Sequence, residues 1–425
     1  MNEGCIPTKT LLRSAEVMHL VKHRAYEFGV RGVNPDAITF DLAAAVARKD
    51  AIVNGILSGI HDALRKNKNI TFLTGHAEFT SPVDIRLDGR QITAEKTILA
   101  VGARPATVDI PGLADVGFIT NYEALKLERL PASMIVIGGG YIGVEFAQMY
   151  ARFGTKVMML GRAPRIMSHE DEEISVALAE VLRAEGIDLY TSAPVLRAEF
   201  EGDEKVVVAQ IGGEEQRFKA KEILFAGGRV SRVEGLSLEQ AGVELSRDVI
   251  QVVDTLQTTM PNIWSIGDAN GGAMFTHRAT YDGPLSALNA VRGLKKKVDY
   301  RVVPRAVFSE PAVASVGLTE REAREARHEV KIGKHLFAHT GRAKAIGQTE
   351  GFVKIVADMK TDEILGAHIL GAHADILIHE VVAAMYNHGT AEPIAKSIHI
   401  HPTLSEAVKS AAKAIGSAPM IRTGE

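Results

Sequence analysis

The sequence predicts an α/β fold spread over more than one domain, and three observations carry that expectation. Strand-like and helix-like stretches alternate along the chain, its 39 glycines gather at the junctions, and one glycine run stands between a buried-strand segment and a helix-forming segment. At 425 residues the chain is long enough for two or three hydrophobic cores of about 150 residues each. With 49 basic against 52 acidic residues, the near balance of charge leaves no basic footprint for a nucleic acid. No run approaches the roughly 18 apolar residues of a membrane span, so no membrane partner is expected. The start, Met1-Asn2-Glu3-Gly4-Cys5, lacks the order of a secretory signal, and a single cysteine excludes an intrachain disulfide. Both point to a reducing, cytoplasmic setting.

In chain order, Pro7 suits the first turn of a helix after Cys5, and Leu11, Leu12, Ala15, Met18, Leu20 and Val21 continue a helical stripe until Gly29. A second long helix is expected over 41–66. Short strands follow at 70–73, 83–87 and 97–101, the last stopped by Gly102-Ala103-Arg104-Pro105. A new βαβ unit opens at Ser133, where Met134-Ile135-Val136-Ile137 feeds into glycines and a helix over 144–153. Strands at 206–211 and 222–226 lead to Gly227-Gly228-Arg229, and the apolar run 263–266 ends at Gly267-Asp268. From about Val303 the pattern changes to strands (352–356, 365–369) and a long helix over 376–386, which marks a last domain. Lys295-Lys296-Lys297 reads as a solvated turn.

Gly138-Gly139-Gly140-Tyr141-Ile142-Gly143 matches G-x-G-x-x-G with a strand before it and a helix after it, the context that gives the motif meaning. Gly138 permits the tight turn, Gly140 lets the backbone approach a pyrophosphate, and Gly143 allows close packing of helix on strand. A ribose 2′-hydroxyl is usually held by an acidic residue about 20 positions on. Here the strand Val157-Met158-Met159-Leu160 ends in Gly161-Arg162, with Arg165 close behind. A guanidinium suits a 2′-phosphate, which favours NADPH and leaves NADH open.

Gly4-Cys5-Ile6-Pro7-Thr8-Lys9, the fingerprint at 138–143 and His401-Pro402-Thr403-Leu404-Ser405-Glu406 stand in that order. Together they resemble the flavin-dependent pyridine nucleotide-disulfide oxidoreductases, most of all the dihydrolipoamide dehydrogenase and mercuric reductase-like branch. The resemblance runs over essentially the whole chain. It implies two Rossmann-like dinucleotide-binding domains, the FAD one incomplete at its N-terminus, and a C-terminal α+β dimerisation domain. The implied boundaries are 1–112 for the incomplete FAD-binding domain, 113–232 for the NAD(P)-binding domain, 233–302 for the remaining central part and 303–425 for dimerisation.

The resemblance also implies roles. Cys5 becomes the flavin-proximal thiol, suitably placed because a helix start favours a thiolate. Lys9 is similar to the family lysine beside the reactive flavin nitrogen, paired with Glu145, and Tyr141 resembles an aromatic gate that moves aside for nicotinamide. Asp268 matches the aspartate that binds the ribityl chain, with Gly102, Arg104, Gly228 and Gly267 among the cofactor-binding positions. His401 and Glu406 resemble an acid–base dyad that serves the other subunit's flavin, so a homodimer acting on a small-molecule or protein disulfide is implied. Met385, Ile376 and Ile378 suit an interface or a plain core helix equally. His399 and His401 lack a third ligand at a metal-like spacing, so no metal is expected, and His373, His379 and Glu380 suggest a polar interface.

The family motif is C-x-x-x-x-C, and its other cysteine would fall just before Met1, so Met1 is expected to be internal to a longer protein. By the same resemblance the first βαβ unit of FAD binding is expected to precede Met1 as well. One cysteine cannot complete electron transfer to a disulfide, and the chain alone is expected to lack that activity. The end, Gly416-Ser417-Ala418-Pro419-Met420-Ile421, has no cysteine pair, which argues against mercury as substrate. The alternatives are a non-catalytic nucleotide-binding dimer and a flavin reductase with a non-disulfide acceptor such as a quinone, a dye or a reactive chlorine or sulfur species.

Overall fold

The computed structural model describes residues 2–107 and 109–417; Met1, Val108 and 418–425 lie outside them. The chain forms two compact units, one of Met1–Asp50, Asp109–Ala226 and Arg301–Glu425, the other of Ala51–Val108 and Gly227–Tyr300.

At the centre of the first unit is a four-stranded parallel sheet in the order Glu222–Phe225, Ser133–Ile137, Lys156–Leu160, Asp188–Tyr190. Its central strand is apolar on both faces, and Met134, Ile135 and Val136 are fully buried, as a sheet covered on both sides requires. The helix Tyr141–Phe153 packs on it through Val144, Phe146, Ala147 and Tyr150. The helix Cys5–His19 joins the same core through Leu11 and Ala15, one turn apart on one face. The expected stripe does end at Gly29, which adopts φ 80°, yet the α-helix stops at His19 and continues as a π-turn and a short 3-10 turn. Val17, Leu20 and Val21 face outward there, so no packing holds the regular helix beyond His19.

The same unit ends in a five-stranded antiparallel sheet in the order Arg305–Val307, Ala312–Gly317, Ile364–Gly371, Phe352–Asp358, Val330–Leu336. Helices Ala374–Tyr386 and Ser405–Ser417 contribute to its core. Ile378 and Met385 are buried in that core, so for them the core-helix alternative holds, whereas Ile376 is exposed. Two ion-pair systems tie this sheet to the segment after the parallel strand Lys156–Leu160. Lys354, buried on strand Phe352–Asp358, reaches Asp171 at 3.0 Å, Glu173 at 2.8 Å and Glu320 at 2.9 Å. Burial alone would lower its pKa, but the hydrogen bonds it donates to those carboxylates, and their charge, outweigh it and raise the group.

In the second unit, Thr97–Leu99 pairs in parallel with Ile263–Ser265, and Ala103–Pro105 pairs antiparallel with Arg229–Ser231. Ala77–Phe79, Asp84–Leu87 and Arg90–Thr93 make an antiparallel meander, and Thr276–Arg292 is its long helix. The strand expected at 70–73 does not form. Ile70, Phe72 and Leu73 are exposed, and no strand among the described residues pairs with them, so the apolar alternation has no ladder to join.

Asp358 closes its strand with a pH-dependent clasp. It meets His328 Nδ1 at 2.7 Å and accepts from the backbone N–H groups of Lys360 and Thr361 at 2.8 and 3.0 Å. These bonds, the histidine's first, hold its pKa down to about 2. A depressed carboxylate adds stability above its unfolded pKa and loses it as pH falls through the folded one. The melting-temperature gap between the native chain and Asp358→Asn is therefore expected to be full above pH about 4 and to close as pH falls further.

Candidate functional site

Cys5 is the first residue of its helix and is exposed. One turn on, Lys9 Nζ donates to both oxygens of Glu145, at 2.9 and 2.8 Å. Glu145 is buried on the helix Tyr141–Phe153 and also accepts the backbone N–H of Phe308 at 2.9 Å, while the Lys9 ammonium lies 4.6 Å from the centre of the Phe308 ring. The pairing that the resemblance implied is thus present in space, although the two residues are 136 positions apart. Phe308 was not foreseen, because nothing in a local pattern announces a backbone N–H arriving from another sheet.

The glycine turn has the shape of a phosphate cradle. Gly138 adopts φ 128°, and a Cβ on Gly143 would stand 2.1 Å from the carbonyl oxygen of Gly138. A Cβ on Gly140 would meet no protein atom within 4 Å. The protein itself therefore does not exclude a side chain at Gly140; a bound pyrophosphate would. Gly140 caps the helix without a side-chain hydrogen bond, which leaves the first-turn N–H groups open to an anion. Arg162 is exposed after the strand Lys156–Leu160 and makes no ion pair among the described residues; Arg165 lies 3.4 Å from Glu172. These residues fit a dinucleotide.

Tyr141, the first residue of this helix, donates its hydroxyl to the buried Glu170. Arg305 Nε donates to the same carboxylate at 3.0 Å, and the Ser315 hydroxyl donates to its other oxygen. Burial pushes the Tyr141 phenol up, and the Glu170 charge adds to that. Burial also works to raise Glu170, but the Arg305 charge and the hydrogen bonds from Ser315, Tyr141 and Arg305 hold it below the usual carboxylate range. Sequence reasoning missed Glu170, Arg305 and Ser315, since Glu170 looked like one more acid before a helix.

In the second unit Asp268 sits in the turn Gly267–Asn270, half-buried, and its carboxylate accepts no hydrogen bond from the described residues. Burial raises it above its ordinary value against the pull of Arg229 and Arg278. A half-buried acceptor of this kind fits the hydroxyls of a flavin's ribityl chain. Gly267 adopts φ 66° and donates its N–H to Asp282 at 3.0 Å. Gly102 (φ 70°) and Gly228 (φ 135°) accept backbone N–H groups from Arg232 and Ala106. Arg104 is engaged by Glu234, with Nε at 2.8 Å from its carboxylate.

At the far end of the first unit, His401 Nδ1 lies 3.0 and 3.2 Å from the two oxygens of Glu406. The Thr403 N–H donates to Glu406 at 3.0 Å, and this bond followed by the one to His401 keeps the carboxyl below its usual range. A second pair stands beside it: His399 Nε2 lies 3.0 Å from Glu380 Oε1 on the helix Ala374–Tyr386. The sequence placed those two residues in separate clusters, and the structure joins them. His399 turns inward, whereas Ile398 and Ile400 on either side are 99% and 79% exposed. Among the described residues no group of three metal-ligating side chains is present, and no helix is long and apolar enough to cross a membrane.

Two substitutions test this geometry. Gly143→Ala is expected to cost about 1–3 kcal/mol of stability through the clash with Gly138 and to weaken NADPH binding, read by denaturant midpoint and calorimetric titration. Lys9→Met leaves a buried carboxylate without its cation and is expected to cost about 2–3 kcal/mol. Adding Glu145→Gln to it should cost less than the sum of the two single changes, as a double-mutant cycle will show.

Residues 1–283 match the family described as pyridine nucleotide-disulphide oxidoreductase, and residues 303–412 match its dimerisation domain. The chain is 37% identical over 432 residues to a dihydrolipoyl dehydrogenase of Bacillus subtilis, covering 97% of this chain and 90% of the relative. It is 35% identical over 412 residues to a mercuric reductase of Bacillus cereus, covering 97% of this chain and 65% of that longer protein. Among solved structures, the HOCl-induced flavoprotein disulfide reductase RclA from Escherichia coli superimposes with a TM-score of 0.86 at 30% identity, over 98% of this chain and 91% of RclA. Sequence, architecture and dimerisation domain agree: the chain belongs to the pyridine nucleotide-disulphide oxidoreductases, flavoprotein enzymes that use FAD and NAD(P)H.

Proposed function

We propose that this chain draws hydride from NADPH in preference to NADH and directs the electrons through FAD beside Cys5 to a small-molecule or protein disulfide, as a cytoplasmic homodimer. The observation that carries the reading is the pairing of half-buried Lys9 with the buried Glu145, one helical turn from Cys5. A lysine held by a carboxylate at a fixed point, next to an exposed thiol, is costly to explain as packing. Arg162 and the lack of an acid at that strand end support the 2′-phosphate of NADPH.

Bound FAD supplies a ring that takes up a hydride and releases its electron pair to sulfur. The protein's part is placement and proton handling. Lys9 holds positive charge where the ring would sit, and Glu145 fixes it there. Cys5, exposed at a helix end, is open to exchange with a second sulfur. Glu406 engages Nδ1 of His401, which sets the proton there and leaves Nε2 to accept a thiol proton and return it. In the dimer this pair would serve the partner's sulfur, with Ile398 and Ile400 as the apolar surface that the partner covers.

The count of one cysteine in 425 residues favours a second reading, a flavin reductase that delivers electrons to a non-disulfide acceptor. Flavin content and two acceptors separate the readings. The chain loaded with FAD is expected to oxidise NADPH with ferricyanide, while oxidised lipoamide remains unreduced for want of the second sulfur. Sustained reduction of oxidised lipoamide would refute the need for a cysteine pair, and a colourless dimer that still binds NADPH would replace the enzyme by a binding role.

A further inference from the structure

Arg305 and Ser315 are register partners on adjacent antiparallel strands, and they grip opposite oxygens of Glu170. The carboxylate therefore has a fixed position and orientation set by the sheet, not by its own flexible stem. Among the described residues the one further side chain it receives is the phenol of Tyr141, the first residue of the helix after the nucleotide turn. A hydroxyl that donates to an ionised, buried carboxylate makes a stronger bond than one that donates to a neutral group or to water. The ring of Tyr141 is thus tethered by its outer end to a rigid anchor, while its inner end is fixed by the helix start.

We propose that Glu170 is a latch on Tyr141, a positioning residue that holds the ring closed over the nicotinamide place and sets how readily the dinucleotide opens it. This rests on the reading of Tyr141 as the gate. A bound nicotinamide that displaces the ring must break the Tyr141–Glu170 bond, so the latch lowers NADPH affinity by the strength of that bond. Arg305 and Ser315 make the device specific, because they keep the carboxylate from following the ring as it swings.

The test is the dissociation constant for NADPH, measured by calorimetry on the 425-residue chain. Tyr141→Phe removes the hydroxyl and keeps the ring, and it is expected to tighten binding on the order of tenfold. Glu170→Gln should tighten it in the same direction, and the double variant should bind no more tightly than Tyr141→Phe alone. Glu170→Gln leaves Arg305 without its counter-charge, so its melting is followed in parallel. Tyr141→Phe preserves the Glu170–Arg305–Ser315 cluster and carries the test should the other variant fail to fold. An ultraviolet titration adds a readout that loss of packing would not produce: in Glu170→Gln a tyrosine phenol that resists ionisation in the native chain should ionise at lower pH. Unchanged or weakened binding in Tyr141→Phe, with Tyr141→Ala altering the affinity, overturns the latch and leaves the gate standing. Unchanged affinity in both variants overturns the gate itself.

Discussion

One buried carboxylate, Glu145, sets the geometry on which the proposed redox centre depends. It joins the first helix through Lys9, the nucleotide helix on which it stands, and the connection between the first two strands of the terminal sheet through the Phe308 N–H. A carboxylate in an apolar core is tolerated when hydrogen bonds serve both its oxygens, and here the lysine and the amide supply three. The same helix repeats the device one and two turns further on. Gln148 exchanges hydrogen bonds with the backbone of Glu310, and Arg152 clasps Glu185 at 2.6 Å along with Glu310. One side of the helix Tyr141–Phe153 is therefore glued by apolar packing and another by directed polar bonds. Packing alone tolerates small rotations; the polar bonds do not, and they fix where the residues of the glycine turn and of Lys9 come to rest.

A second polar system sits one segment later. Glu170 and Asp171 are neighbours in sequence, yet both turn to the terminal sheet, the first to Arg305 and Ser315, the second to Lys354. Lys354 remains charged although buried, because Asp171, Glu173 and Glu320 surround it. Replacing such a cluster by apolar side chains often costs little net stability. What it adds is register: charged partners match in one alignment of the sheet and in no other, so the strand bearing Arg305 cannot slide past the segment bearing Glu170.

Much of this was legible in the sequence where the cause is local. Strand Ser133–Ile137, its glycines and the helix after it were readable because apolar run, turn chemistry and helix start lie within twenty residues. The Lys9–Glu145 pair and the His401–Glu406 pair were legible through resemblance, since their motifs are short and ordered. The apolar residues of 70–73 misled because a strand needs a partner, and alternation says nothing about whether one lies alongside. Met385 and Ile378 left two alternatives open because an apolar helix face looks the same against a core or against a partner. Glu170, Phe308 and the His399–Glu380 pair were illegible for a common reason. Their partners come from other strands and helices, 163 positions away in the case of Phe308 and Glu145, and a carboxylate beside a helix start carries no mark of what it will meet.

The rib that displays His401 has a consequence for how the protein responds to its own abundance. Two branched side chains, Ile398 and Ile400, stand in water beside the acid–base pair, and covering each is worth roughly 1.5–3 kcal/mol. A lone chain bears that exposure; the proposed dimer would relieve it and bring one chain's imidazole to the other's sulfur. Assembly and proton transfer then share one equilibrium governed by mass action. Dilution alone would then quiet proton transfer to the partner's sulfur while leaving the glycine turn and its helix, which lie within one chain, unchanged.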